Sequence, residues 1–150
     1  MDMLEWKSFL QTLMQINQLQ PENGVTHCNQ AARMAAQQAG CNEFDNPDLL
    51  ADDMIRIMED NLSGKWAVND GPRASLQAIN GGLAFAGMSS KDLGEEHGHI
   101  AVIFPGQMEF SGSLNKDVPV IANVGKRNGV MKVSEAFPVD KREPKYWRWS

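Results

Sequence analysis

Hydrophobic residues in the first half of the chain recur at helical spacing. The first series predicts an amphipathic helix that ends near the turn at 21–24. Its apolar positions are Met3, Trp6, Leu10, Leu13 and Met14. An alanine-rich stretch predicts a second helix over 28–39, with Thr26 as its cap and Gly40 at its end.

Two more helices are predicted before residue 82. The third has its start signal at Asn46-Pro47-Asp48, where a capping side chain precedes a first-turn proline, and its apolar face runs up to Ser63-Gly64. A shorter fourth helix is predicted over 73–79, closed by Asn80-Gly81. The nine methionines lie mostly at helical spacings and are interpreted as core residues.

Beyond Gly82 the apolar stretches become short and are bounded by Gly, Pro or Asn, which is typical of strands. Strands are predicted over 83–86, 99–104, 118–123 and 145–149, and the segments 88–98 and 106–117 are predicted to be loops that border a site. Helices followed by strands indicate an α+β fold in which N-terminal helices pack on an antiparallel β-sheet. The length of 150 residues fits a single domain, 1–150.

The charge balance argues against nucleic acid as a partner. The chain has 14 Lys and Arg against 19 Asp and Glu, a net charge of −5. A nucleic-acid-binding surface needs a basic stripe, and Lys126-Arg127 and Lys141-Arg142 are too small to form one. Acidic residues stand near the N-terminus where a secretory signal carries positive charge, and the longest apolar runs are only strand-sized. We therefore expect a protein made in the cytoplasm without a signal peptide and without membrane insertion.

The two cysteines, Cys28 and Cys41, are predicted to be free thiols. If the segment between them is helical, their Cα atoms lie about 20 Å apart, beyond the roughly 7 Å limit for a disulfide. The cysteines and three histidines also lack the spacings of a structural zinc site, and no cofactor motif is recognisable. We expect neither a metal nor a cofactor.

Cys28 is the candidate nucleophile. A cysteine in the first turn of a helix is exposed to the macrodipole and to unpaired N–H groups, which favour the thiolate and predict a lowered pKa. The same N–H groups are placed to receive the oxyanion of a tetrahedral intermediate. The alternative is that Cys28 is a small apolar residue packed against the sheet.

A thiol nucleophile needs an imidazole partner, and His99 at the head of an apolar strand is the candidate. Asn123, which closes the strand predicted over 118–123, is the candidate to hold that imidazole in its useful tautomer if the two strands are neighbours. A turn at Asn123 is the competing interpretation. Other candidate orienting residues are Asp117, Glu95 and Glu96, while His97 is interpreted as a surface histidine and His27 as incidental.

These residues resemble the NlpC/P60-like branch of the papain-fold cysteine hydrolases over roughly residues 23–149. The similarity to small phage lysins and to type VI secretion amidase effectors is carried by four segments. They are Thr26-x-Cys28-Asn29-x-x-Ala32, Ala78-Ile-Asn80-Gly81, Gly98-His99-Ile-Ala-Val-Ile-Phe-Pro105 and Pro119-Val-Ile-Ala-Asn123-Val-Gly125. The chain departs from the family in having Cys-Asn-Gln in place of Cys-Ser-Gly, and an asparagine where many members have a second histidine.

The resemblance implies a papain-like hydrolase that cleaves amide bonds in peptidoglycan stem peptides. It implies Cys28 as the nucleophile, His99 as the general base and acid, and Asn123 as the third residue. Without an export signal, such an enzyme reaches the cell wall through phage lysis or by injection, and an injected effector implies an immunity partner. The alternative is an effector that acts on host proteins as a thiol protease, deamidase or acyltransferase.

The tryptophans raise a separate possibility, a sugar-binding groove lined by Trp66, Trp147 and Trp149. Trp147 and Trp149 alternate along one predicted strand, where one face is ordinarily core. We therefore favour a structural role for them.

Overall fold

Residues 1–138 and 142–150 are described by a computed structural model, and Lys141 of the basic pair at 141–142 lies outside them. Helices and strands alternate along much of the chain, and a 3₁₀ turn spans Asn17–Leu19. The elements are α1 (Met3–Gln15), α2 (Cys28–Gln38), α3 (Ala51–Asp60), β1 (Trp66–Asn69), α4 (Gly71–Ile79), β2 (Ala84–Met88), α5 (Ser90–Leu93), β3 (His99–Ile103), β4 (Glu109–Ser111), β5 (Lys116–Val118), β6 (Val120–Asn123), β7 (Gly129–Lys132), α6 (Val133–Ala136) and β8 (Lys145–Trp149).

Six strands form one antiparallel sheet in the order β1-β8-β2-β3-β6-β7, and β4 and β5 form a separate hairpin. The predicted class, α+β with helices packed on an antiparallel sheet, is confirmed. Strand β8 lies inside the sheet, between β1 and β2, although it is the last strand along the chain.

Both faces of the sheet are covered, which explains why β2, β3 and β6 are almost wholly apolar. Along β3, Ile100 and Val102 join the cluster formed with α1, α2 and α3, while Ala101 and Ile103 join the cluster formed with α4 and α6. None of the helices within 1–138 and 142–150 is long and apolar enough to cross a membrane.

Helix α2 begins at Cys28 as predicted, but its predicted cap is wrong, and so are the predicted starts of α3 and α4. The residue before α2 is His27, which makes no capping hydrogen bond through its side chain, so Thr26 is not the cap. Helix α3 begins at Ala51 rather than after Asn46, because Asn46 uses its side chain to accept from the N–H of Asp48 in a separate turn. The fourth helix begins two residues earlier than predicted, with Asp70 as its cap.

Two predicted loops contain regular structure. The segment 106–117 includes β4 and the start of β5, and 88–98 includes the short helix α5. The strand predicted over 118–123 is divided at Pro119, which has no N–H for a ladder hydrogen bond, into the end of β5 and all of β6.

Candidate active site

Cys28 is the first residue of α2 and is buried, with 8% of its surface exposed. Helix α2 packs through its alanines on the face of the sheet that carries Ile100. The backbone N–H groups of Ile100 in β3, of Asn29 and of Cys28 itself lie near the Cys28 sulfur and favour its charged form. The sulfur is thus placed at the start of β3, beside the residue that follows His99.

The predicted lowering of the thiol pKa is wrong for the isolated protein. Burial raises the pKa of Cys28 above its ordinary value of 9.0, and the three N–H groups oppose this effect without overcoming it. A charged sulfur loses its hydration when buried, and the start of α2 does not fully replace it. Cys28 is therefore a neutral thiol at pH 7 and needs a base when it reacts.

His99 and Asn123 are brought together by the pairing of β3 with β6. The distance from His99 Nε2 to Asn123 Oδ1 is 2.7 Å. Asn123 is 4% exposed, so its amide must find its partners within the protein. The expected adjacency of these two side chains is confirmed, and the competing turn begins only after Asn123, the last residue of β6.

The backbone carbonyl of Arg127 fixes the tautomer of the imidazole. Asn123 donates its Nδ2 to that carbonyl at 2.7 Å, and a carbonyl can only accept. The amide oxygen of Asn123 must then face His99, so Nε2 carries the proton and Nδ1 has a free lone pair. Nδ1 is the nitrogen that is free to act as a base.

The surroundings of His99 keep the ring neutral. Burial lowers its pKa below the ordinary 6.5, while the bond to Asn123 and the charge of Glu95 act in the opposite direction. The ring packs at 5.0 Å from the ring of Phe137, measured between centroids. On another side Gly125 lies so close that an added Cβ would stand 3.0 Å from His99 Cε1.

Cys28 and His99 reach the start of β3 from different layers of the fold. Cys28 belongs to the cluster under α1, α2 and α3, whereas Phe137, which packs on His99, belongs to the opposite cluster. Ile100, which lies in the same cluster as Cys28, directly follows His99 along β3.

A pocket of about 360 Å³ opens beside the imidazole. It is lined by His99 and Asn123 but not by Cys28, which is buried. Two loops of opposite charge form much of its rim, with Glu95 and Glu96 on one and Lys126 and Arg127 on the other.

Among the described residues, none of the other predicted candidates makes a hydrogen bond to the imidazole. Glu95, Glu96 and His97 are exposed and line the pocket. Glu95 pairs with Lys126, 3.7 Å between Oε1 and Nζ. Asp117 lies on β5, at a second pocket of about 240 Å³ near Tyr146. His27 is the residue that precedes α2.

The remaining sequence predictions concern structural residues. Cys28 and Cys41 are both free, as predicted, and burial raises the pKa of Cys41 to about 11. Trp66 and Trp149 donate their indole N–H groups to the two carboxylate oxygens of Glu43, at 3.0 and 3.1 Å. Trp147 is fully buried. Trp66 and Trp147 are buried, as the structural interpretation predicts, whereas Trp149 is half-buried and its role stays a prediction.

Sequence reasoning assigned no role at the imidazole to Gly125, the Arg127 carbonyl or Phe137. The only signal for the first two is their position shortly after Asn123, and nothing in the sequence marks Phe137. No protein-family model and no curated protein matches the chain.

Proposed function

We propose that this protein is a cysteine hydrolase that cleaves amide bonds in the stem peptides of peptidoglycan. One observation carries the proposal: a buried thiol lies at the Ile100 amide, and the preceding residue, His99, is held by Asn123 with Nδ1 unprotonated. A neutral thiol and a neutral imidazole base form the ground state for nucleophilic catalysis with general-base assistance. The similarity of the residues around both groups to NlpC/P60-like enzymes gives the substrate class.

The reaction follows from the protonation states. His99 Nδ1 takes the thiol proton as the Cys28 sulfur bonds to the amide carbon, and the N–H of Cys28 stabilises the oxyanion. The imidazolium returns that proton to the departing amine as the C–N bond breaks, leaving a thioester. Water then gives a proton to Nδ1 as its oxygen attacks the thioester, and the sulfur leaves with that proton. The products are one amine, one carboxylic acid and the original thiol.

The charges on the rim of the pocket favour, as substrate, a short peptide that carries both positive and negative groups. Carboxylates on the loop with Glu95 and Glu96 face substrate amines, and the cations of Lys126 and Arg127 face substrate carboxylates. Stem peptides carry both groups near the amide bonds. A host protein attacked by the same acyl-enzyme chemistry is the alternative substrate.

Purified sacculi distinguish the two substrates. We expect the wild-type protein to release fragments with new amine and carboxyl ends, identified by mass spectrometry, and Cys28→Ala to release none while keeping its circular dichroism spectrum. Cys41→Ala is the matched control, because Cys41 is also a buried free thiol but lies at the other end of α2, and it should cleave like the wild type. Full activity in Cys28→Ala overturns the proposal. Intact sacculi together with cysteine-dependent modification of a protein pool favour the alternative.

A further inference from the structure

The segment that begins α3 touches the neighbours of both proposed reactive residues. On one side Asn29, which follows Cys28, donates its Nδ2 to the backbone carbonyl of Leu49 at 3.0 Å. This bond links the first turn of α2 to the turn before α3. Any shift of that turn moves the chain next to the thiol.

On the other side Asp52, in the first turn of α3, holds the segment that leads to His99. Its Oδ1 accepts from the backbone N–H of Ser90 at 2.9 Å, and its Oδ2 accepts from the Ser90 hydroxyl at 2.5 Å. Ser90 begins α5, a single helical turn that has little stability of its own. The carboxylate of Asp52 therefore fixes α5 to α3.

Gly98, directly before His99, lies against this same carboxylate. A Cβ added at residue 98 would stand 2.2 Å from Asp52 Oδ1 and 3.0 Å from the carbonyl oxygen of Met88. The φ angle of Gly98 is not in the left-handed region, so close approach is the reason for a glycine here. The backbone directly before His99 is therefore in close contact with the Asp52 carboxylate.

We propose that the segment 49–52, here called the α3 bracket, sets the separation of Cys28 and His99, with Asn29 and Asp52 as positioning residues. The inference rests on the proposed function, in which these two side chains act as a pair. They approach from different layers of the fold, so their separation is not fixed by either layer alone. The bracket is the element that reaches both sides through hydrogen bonds.

Removing the Asp52 carboxylate frees α5 and the backbone before His99. Since misplacement of a reacting group by about 1 Å can cost about 10²-fold in rate, we expect Asp52→Ala to lower kcat about tenfold with little change in KM. The rate of Cys28 alkylation by iodoacetamide near pH 7 should fall similarly. Asp52→Asn should retain most of both rates, because its amide oxygen accepts from the Ser90 N–H and its Nδ2 donates to the Ser90 hydroxyl.

Asp70→Ala is the matched control. Asp70 caps α4 by accepting from the N–H of Arg73 at 3.0 Å, and within the described residues it makes no hydrogen bond to the bracket or to α5. We expect Asp70→Ala to lower the melting temperature through the lost cap while leaving Cys28 alkylation and kcat within about twofold of the wild type. Ser90→Ala removes one of the two bonds to Asp52 and serves as the milder variant if Asp52→Ala does not fold.

Alkylation is followed by peptide mass spectrometry from pH 5 to 9, so that Cys28 and Cys41 are counted separately. If Asp52→Ala and Ser90→Ala behave like Asp70→Ala, the bracket has no positioning role. His99→Ala separates this failure from failure of the proposed function. If His99→Ala leaves Cys28 alkylation unchanged, Cys28 and His99 are not a pair and both proposals fall; if it slows alkylation and the Asp52 and Ser90 variants do not, only the bracket falls.

Discussion

Asn123 accepts a hydrogen bond from the Nε2–H of His99 at 2.7 Å, and its own orientation is fixed because its Nδ2 donates to the carbonyl of Arg127. The imidazole is thus oriented by a backbone group that it does not touch. This arrangement fixes which ring nitrogen is a base through a neutral amide rather than a carboxylate.

Replacement of Asn123 tests that constraint. We expect Asn123→Ala to lower kcat on muropeptides by about 10²-fold, since the ring loses both its orientation and its tautomer preference and with them most of the benefit of general-base catalysis. Asn123→Asp should retain more activity and move the acid limb of kcat/KM to higher pH, because a carboxylate stabilises the imidazolium. Equal rates in Asn123→Ala and the wild type would show that the amide is only structural.

The pH dependence of stability should contain a contribution from His99. Burial lowers the pKa of His99 below 6.5, so at acid pH the unfolded chain binds a proton that the folded site resists. The neutral His99 therefore contributes its full share to the unfolding free energy above pH 6.5, and this share is lost as the pH falls from 6.5 toward the pKa of His99 in the folded protein.

We therefore expect the difference in unfolding free energy between the wild type and His99→Gln to shrink below pH 6.5. Urea denaturation at pH 8, 7, 6 and 5 measures it. A difference that stays constant over this range contradicts a buried neutral imidazole.

Gly125 provides a steric test of the imidazole position. An alanine Cβ there would stand 3.0 Å from His99 Cε1 and 3.3 Å from Asn123 Nδ2, so one of the two side chains must move. We expect Gly125→Ala to lower kcat about tenfold. Gly112→Ala is the control, because a Cβ at residue 112 meets no atom within 4 Å and should leave kcat unchanged. Steady-state kinetics on a purified muropeptide compares the two variants.

Glu43 tests whether the tryptophans are structural. Its carboxylate accepts from the indole N–H groups of Trp66 and Trp149 and from the hydroxyl of Ser63. In Glu43→Gln the new amide N–H faces one of these N–H or O–H donors, which then loses its acceptor. We expect the unfolding free energy to fall by about 1–3 kcal/mol. Cleavage of sacculi at 25 °C should be unchanged. The exposed variant Asp45→Asn should lose less. A variant of full stability that no longer binds sacculi would place the tryptophans in a binding groove.

The sequence predicted the parts of this fold whose apolar pattern is strong. The start of α2 at Cys28 follows from its alanines and from Gly40, and β3 follows from the apolar run after His99. The contact between His99 and Asn123 was predictable because each lies at an end of a buried strand. β4 was not, because Glu109 and Phe110 are exposed and give no alternation between core and solvent.

The errors at the site have physical causes that arise only in three dimensions. The pKa of Cys28 depends on how completely α2 and β3 bury the sulfur, and a sequence shows the helix start but not the loss of water around it. In the sequence, Asp52 looks like any acidic residue in the first turn of a helix, here α3. Its contact with Ser90 and Gly98 is visible only once α3 packs on the sheet.

The interior position of β8 has a consequence for how the protein is made. β1 pairs with β8 alone among the described strands, and the ribosome produces residues 145–149 after every other strand of the sheet. A nascent chain can therefore contain Cys28, His99 and Asn123 while β1 has no ladder partner and one edge of β2 is open. The ribosome thus makes Cys28 and His99 before the sheet that positions them can be complete. The sheet is completed only when the segment carrying Trp147 inserts between β1 and β2, which are made long before it.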